Sequence, residues 1–442
     1  MNLFRRWGNA LDCQQFLITA FWNGGSSFDT WLNIGSTKIA QILLTIPFSY
    51  AQAGLPSAIA FQVLHLLMGW WGVYIINILY LTYQKKQNPP LQHNQKRNTQ
   101  LHEVLGGLLG KWWSVATLVS MVPYLFTVCV IQLTACSNIV FEMNDQLPKR
   151  TWTVIFGALF SLSIIMPSAQ NYRAWSFLGV IATVYTSCYL GVAALFHGKV
   201  SDVQMSLAPR GYIGYFSALS NFLAVGTEMI PVELMDAMWK PEDFKTPWFY
   251  GIIYVCMVSM PASMTVNVVF GDQTLSHPSA LKLFPKSKFR DIAIVMLLLH
   301  QFVVFGILSW PLYMFCEKFF KVQDSPSFTR RSLLRVPVFL AIWLAALAFP
   351  FLQVSAPTGI FGAWSIYIIP CIAYIVIFWE KALSGVPQPA FPKLSWETTF
   401  SINLSIIIWM AAMSGLALWV SIAAYIRQGE QVGIFTKCYM CK

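Results

Sequence analysis

Two short polar stretches interrupt apolar runs in this 442-residue chain. The first is Asn33-Ile34-Gly35-Ser36-Thr37-Lys38. The second is Gly226-Thr227-Glu228, followed by Pro231. Each combines glycine, small hydroxyls and one ionisable side chain. Glycine weakens a helix and proline removes one of its hydrogen bonds, so each stretch reads as a break in a helix. A broken helix offers two kinds of group. The N–H groups and positive dipole end of one half can hold a carboxylate, and the freed carbonyls can hold an ammonium or another cation. Lys38 places a positive charge beside the first break, and Glu228 places a protonatable acid at the second. Ile34, Gly35, Ser36, Thr37, Lys38, Gly226, Thr227 and Glu228 are therefore the candidate substrate-binding positions, with Glu228 as the candidate proton carrier. A Lys38–Glu228 ion pair that binds nothing is the structural alternative.

These residues need elements that span lipid. Apolar residues make up 56% of the chain and charged residues only 11%, against roughly 25% charged in soluble domains. Taking roughly twenty apolar residues per crossing, eleven spans are expected. They are Trp31–Ala51, Ser57–Tyr80, Trp112–Phe141, Thr151–Pro167, Ala174–Phe196, Tyr212–Met235, Pro247–Phe270, Asp291–Phe315, Val336–Leu352, Gly359–Phe378 and Phe400–Ile426. The loops are short, which excludes a tethered soluble enzyme domain. No HExxH, paired-Asp or Ser/His/Asp set occupies a span, so an enzyme is not expected.

The 29 basic residues give net charge +11, but they sit between apolar runs with no nucleic-acid motif, so no nucleic-acid partner is expected. They instead report orientation. With the N-terminus inside, seventeen lie on the inner side and eleven on the outer side, with Lys38 inside a span. That favours a cytoplasmic N-terminus and an extracellular C-terminus. Phe16–Trp22 is too short for a cleavable signal. Charge within a span marks function because it is expensive. Asp29 reads as a helix cap, Glu233 and Asp236 as interfacial groups, and His300 as a packed histidine or a second proton carrier. The Asn403-Leu-Ser sequon lies inside a span and should be unused. Cys438 and Cys441 lack a second ligand pair, so no metal is expected.

The first break opens spans one to five and the second opens spans six to ten. Paired breaks at corresponding positions of two halves are a transporter signature. The expected organisation is a segment 1–27, a transport domain 28–427 and a tail 428–442. Within the domain, inverted repeats cover about 28–197 and 212–380, with an extra helix at 399–427. A sensor that binds without moving its ligand is the expectation from another class.

Several stretches carry a family resemblance. They are Ala40–Gly54 (AQILLTIPFSYAQAG), Val130–Leu133 (VIQL), Lys149–Thr153 (KRTWT), Asn171–Gly179 (NYRAWSFLG), Val232–Pro241 (VELMDAMWKP), His300–Phe302 (HQF), Tyr367–Pro370 (YIIP) and Gly433–Cys441 (GIFTKCYMC). In this order and spacing the chain resembles the AUX/LAX auxin influx carriers of the amino acid/auxin permease superfamily, over nearly its whole length. The resemblance implies an all-α, leucine-transporter-like fold of about eleven helices, with a 5+5 inverted repeat and broken first and sixth helices. It implies uptake of indole-3-acetic acid at the plasma membrane, coupled to protons, with no cofactor, by a monomer in lipid. It adds Gln132 and Tyr367 to the substrate-binding set. The chain departs from the family where Glu228 and Asp236 replace histidines, where Lys38 replaces a glutamine, and where Thr37 replaces an asparagine. An amino acid, its ammonium on Glu228 and its carboxylate on Lys38, is the alternative substrate.

Overall fold

The computed structural model describes residues 25–39, 42–87, 98–165, 173–198, 207–209, 211–227, 230–322, 327–349, 358–383 and 394–428. Glu228, Cys438 and Cys441 lie outside the described residues.

Helix α1 (Ser27–Lys38) starts where a capping box allows it. Ser26 Oγ accepts from the Asp29 N–H at 3.2 Å, and the Asp29 carboxylate accepts from the Ser26 N–H at 3.0 Å. Two of the N–H groups that a helix start leaves orphaned are thereby satisfied. Asp29 is thus the cap that the sequence suggests, and it also pairs with Arg173 at 2.8 Å. The helix ends at Ile39, whose extended backbone (φ −116°, ψ 91°) breaks the ladder, and α2 resumes over Ile42–Ala53. Between α2 and α3 (Leu55–Lys86), Gly54 takes φ +80° with Leu207 backbone against it, a conformation and a space that only glycine suits.

The long apolar runs become long helices. At 1.5 Å per residue, the 32 residues of α3 reach roughly 48 Å, beyond the ~30 Å hydrocarbon core. The short α4 (Leu101–Leu109) turns into α5 (Lys111–Met143). Span four is the twelve-residue α6 (Lys149–Phe160) with a 3-10 turn to Ile165, and span five is α7 (Arg173–His197). Span six is interrupted: α8 (Tyr212–Gly226) stops and α9 (Pro231–Asp236) begins with proline in its first turn, where the missing N–H costs nothing. Then come α10 (Lys245–Phe270), α11 (Lys288–Phe319), α12 (Phe328–Ala348), α13 (Ile369–Leu383) behind a π-helical turn at Ala363–Ile368, and α14 (Trp396–Gln428).

Among the described residues, eight helices are long and apolar enough to cross a membrane. The other three expected spans are the two interrupted ones and the short α6. Outward positions are apolar, among them Leu195, Phe196, Met257 and Ile408, all exposed. Polar residues cluster inside instead, the arrangement of a bundle whose solvent is lipid. The sequon residue Asn403 is buried and accepts from Trp71 Nε1 at 2.8 Å. Packing places both interrupted helices centrally: α1 lies against α7, α10 and α11, and α8 lies against α2 and α3.

Candidate functional site

The two breaks meet. Lys38, on the last turn of α1, sends its ammonium to the carbonyl of Gly226 at 3.1 Å, and the Val225 carbonyl lies 3.5 Å away. These are the terminal carbonyls of α8, the negative end of its dipole. The ammonium also sits 4.3 Å from the Trp248 ring centroid, a cation–π contact from α10. Lys38 is 4% exposed.

The break in α1 is not where the sequence places it. The helix runs unbroken through Gly35 and opens at Ile39, so Ile34, Gly35, Ser36 and Thr37 keep helical backbone. Gly35 serves packing: a Cβ there would come within 3.3 Å of both Tyr254 on α10 and Val180 on α7. Thr37 turns its hydroxyl back onto the Asn33 carbonyl at 2.8 Å. What this segment offers the gap is therefore the C-terminal carbonyl end of α1.

His300 on α11 joins the same end. Its Nε2 lies 2.7 Å from the Ser36 carbonyl, and its Nδ1 has no partner. Gly179 lets α7 approach there, since a Cβ on it would strike the Ser36 hydroxyl and crowd His300. At the second break, Thr227 leaves the helix in extended backbone (φ −81°, ψ 131°). Its hydroxyl donates to Leu223 O at 2.8 Å and lies 3.2 Å from the Tyr367 hydroxyl. Tyr367 sits in the π-helical turn, a distortion common at functional sites. Gly226 meets the backbone of α3 directly. A Cβ on it would overlap the His65 carbonyl, and one on Gly69 would overlap the Gly226 carbonyl.

The structure thus joins Lys38 to Gly226, Ser36 to His300 and Thr227 to Tyr367. Gln132 is buried on α5 with Oε1 unpartnered, and no hydrogen bond among the described residues ties it to these three pairs. Sequence reasoning missed Trp248, Tyr254 and Glu233. Trp248 reads as a belt residue at a span end, and no spacing connects it to Lys38. Glu233 is 1% exposed, and neither carboxyl oxygen has a hydrogen-bond partner among the described residues.

The model of the family "Transmembrane amino acid transporter protein" matches residues 23–417. Auxin transporter-like protein 3 of Arabidopsis thaliana is 40% identical over 431 residues, covering 96% of this chain and 92% of the relative. Auxin transporter-like protein 5 of Medicago truncatula is 39% identical over 438 residues, covering 97% and 89%. The chain belongs to the auxin transporter-like (AUX/LAX) family. As an AUX/LAX protein it is a multi-pass membrane transporter. The crystal structure of MhsT in complex with L-phenylalanine superposes with TM-score 0.59 at 13% identity, covering 91% of this chain and 99% of that one. That likeness gives the AUX/LAX chain its leucine-transporter-like fold, with the first and sixth helices broken.

Proposed function

We propose that this transporter imports indole-3-acetic acid across the plasma membrane together with protons, by alternating access, with its N-terminus inside and its C-terminus outside. The single observation that carries the substrate reading is the Lys38 ammonium on the Gly226 carbonyl. The carbonyl ends of α1 and α8 would otherwise suit the ammonium of an amino acid. Here a tethered ammonium already occupies that place, so a substrate with a carboxylate and no amine fits better. The names of the relatives support the same choice.

In this reading the carboxylate lies between Lys38 and the N-terminal N–H groups of α2, where charge and dipole both favour an anion. Thr227 and Tyr367 supply hydroxyls to the same gap, and Glu228 carries the proton. His300 holds the end of α1 through Ser36 and is the second titratable group. A proton-coupled amino acid permease is the alternative, supported by the family model's own description. The test is uptake of labelled indole-3-acetic acid and of tryptophan in cells expressing the chain. Indole-3-acetic acid uptake should rise as external pH falls, and tryptophan uptake should stay at background. Absence of pH-dependent uptake above control, with the protein at the surface, overturns the reading. Stronger uptake of tryptophan selects the permease.

A further inference from the structure

We infer that Glu233, at the end of the bundle where α1 begins, is a second proton-binding site, which empties when that end opens. The inference rests on the proton-coupled reading and names where the proton leaves. Glu233 is on α9, five residues past Glu228, and its end of the bundle is fixed by the Trp239 N–H, which donates to Gly25 O ahead of α1 at 2.9 Å. The carboxyl is 1% exposed, and neither oxygen has a hydrogen-bond partner among the described residues. A bare carboxylate in such a place is costly, whereas the neutral acid is tolerated. The Gln100 side chain stands beside it. Gln100, at the start of α4, spends its Nε2 on the Pro311 carbonyl at 3.0 Å and leaves its Oε1 buried and unpartnered.

The charged groups around Glu233 are all engaged elsewhere. Asp236, on α9 itself, accepts from the Tyr80 hydroxyl of α3 at 2.7 Å and from the Thr99 N–H at 3.0 Å. Lys318 of α11 bonds Glu103 of α4 and the Asn98 carbonyl, each at 2.6 Å. Glu103 in turn accepts from the Gln100 N–H at 2.9 Å. The 98–103 segment is therefore a strap tying α3, α9 and α11 together, and it holds Lys318 on Glu103 and the Asn98 carbonyl. Opening this end requires the strap to leave. Its departure frees Lys318 from Glu103 and admits water to Glu233, and both changes favour the ionised carboxylate. The proton then passes from the Glu233 carboxyl to water on the inner side.

The test uses the purified full-length protein in phosphatidylcholine/phosphatidylglycerol vesicles. Two rates of labelled indole-3-acetic acid movement are compared: accumulation driven by an inward proton gradient, corrected against protein-free vesicles, and exchange without a gradient. In Glu233→Gln, which keeps the size and fixes the neutral state, the ratio of gradient-driven to exchange rate should fall at least tenfold. In Glu233→Asp, which keeps the acid, the ratio should stay within about threefold of wild type. An unchanged ratio in Glu233→Gln overturns the inference. Equal loss of both rates in the two variants assigns Glu233 to packing and also overturns it. A wild-type protein that exchanges but shows no response to the gradient refutes proton coupling itself, and the inference falls with it.

Discussion

The Lys38 ammonium bonds the Gly226 carbonyl at 3.1 Å, so a side chain from the end of one half-helix caps the end of another 188 positions away. A charge buried in lipid needs such partners, since an uncompensated ammonium would be far too costly. The same bond that stabilises the lysine fixes it at the point where the two breaks face each other.

Removing that charge should damage transport strongly. Lys38→Gln is expected to lower indole-3-acetic acid uptake at least tenfold at equal surface expression. Combining it with Glu228→His, the pairing the family usually has, should restore part of the loss. A double-mutant cycle on uptake rates measures the coupling. If the double variant is as poor as the product of the singles, the two positions do not compensate.

The Thr227–Tyr367 contact is a neutral hydroxyl pair at 3.2 Å. A bond of this kind contributes about 1 kcal/mol. Tyr367→Phe should therefore raise the KM for the substrate by roughly three- to tenfold and leave expression and melting temperature near wild type. A change in maximal rate with KM unaltered would remove Tyr367 from the substrate gap.

Crowding at the α3–α8 crossing is a stability matter. Gly69→Ala forces a methyl group into the Gly226 carbonyl. Overpacking typically costs about 1–3 kcal/mol, and here the obstacle is backbone. The expected result is a melting temperature lowered by several degrees in detergent, with transport lost. Gly191→Ala is the control, because a Cβ there meets nothing.

One histidine outside the spans gives a pH signature. Burial pushes His102, on α4, below the ordinary imidazole range. Lys318 acts in the same direction and Glu103 against it. The unfolded chain then binds a proton that the folded chain refuses. Its contribution to stability is complete above about pH 6.5 and declines as pH falls below that value. Thermal melts at pH 7.5 and 5.5 should show a smaller acid-induced drop in His102→Gln than in wild type.

How far the residues announced this can be judged one at a time. Pro231 marks the start of α9, because the first turn is where a proline's missing N–H costs nothing, although Pro47, Pro123, Pro261, Pro311 and Pro337 stand inside other helices. Asp29 as a cap was legible from Ser26 three residues before it, though Arg173 as its partner was not. Gly35 misled, since glycine signals either a broken helix or a close approach, and only the presence of Tyr254 and Val180 decides between them. Glu233 was legible only in part. Its closeness to the helix end suggested the interface, and its burial depends on a strap at least 130 positions earlier. Local pattern predicts elements and their ends. It does not predict which elements roof a given side chain.

The glycine-to-backbone contact of α3 and α8 has a mechanical result. With no side chain between them at Gly69 and Gly226, the two backbones come into direct contact there, within a longer packed crossing. Such a contact fixes the separation of the two helices at that level, because the obstacle on each side is backbone and cannot change rotamer. The lysine-capped gap lies beside that contact, so the α3 backbone bears directly on the residue whose carbonyl holds the Lys38 ammonium.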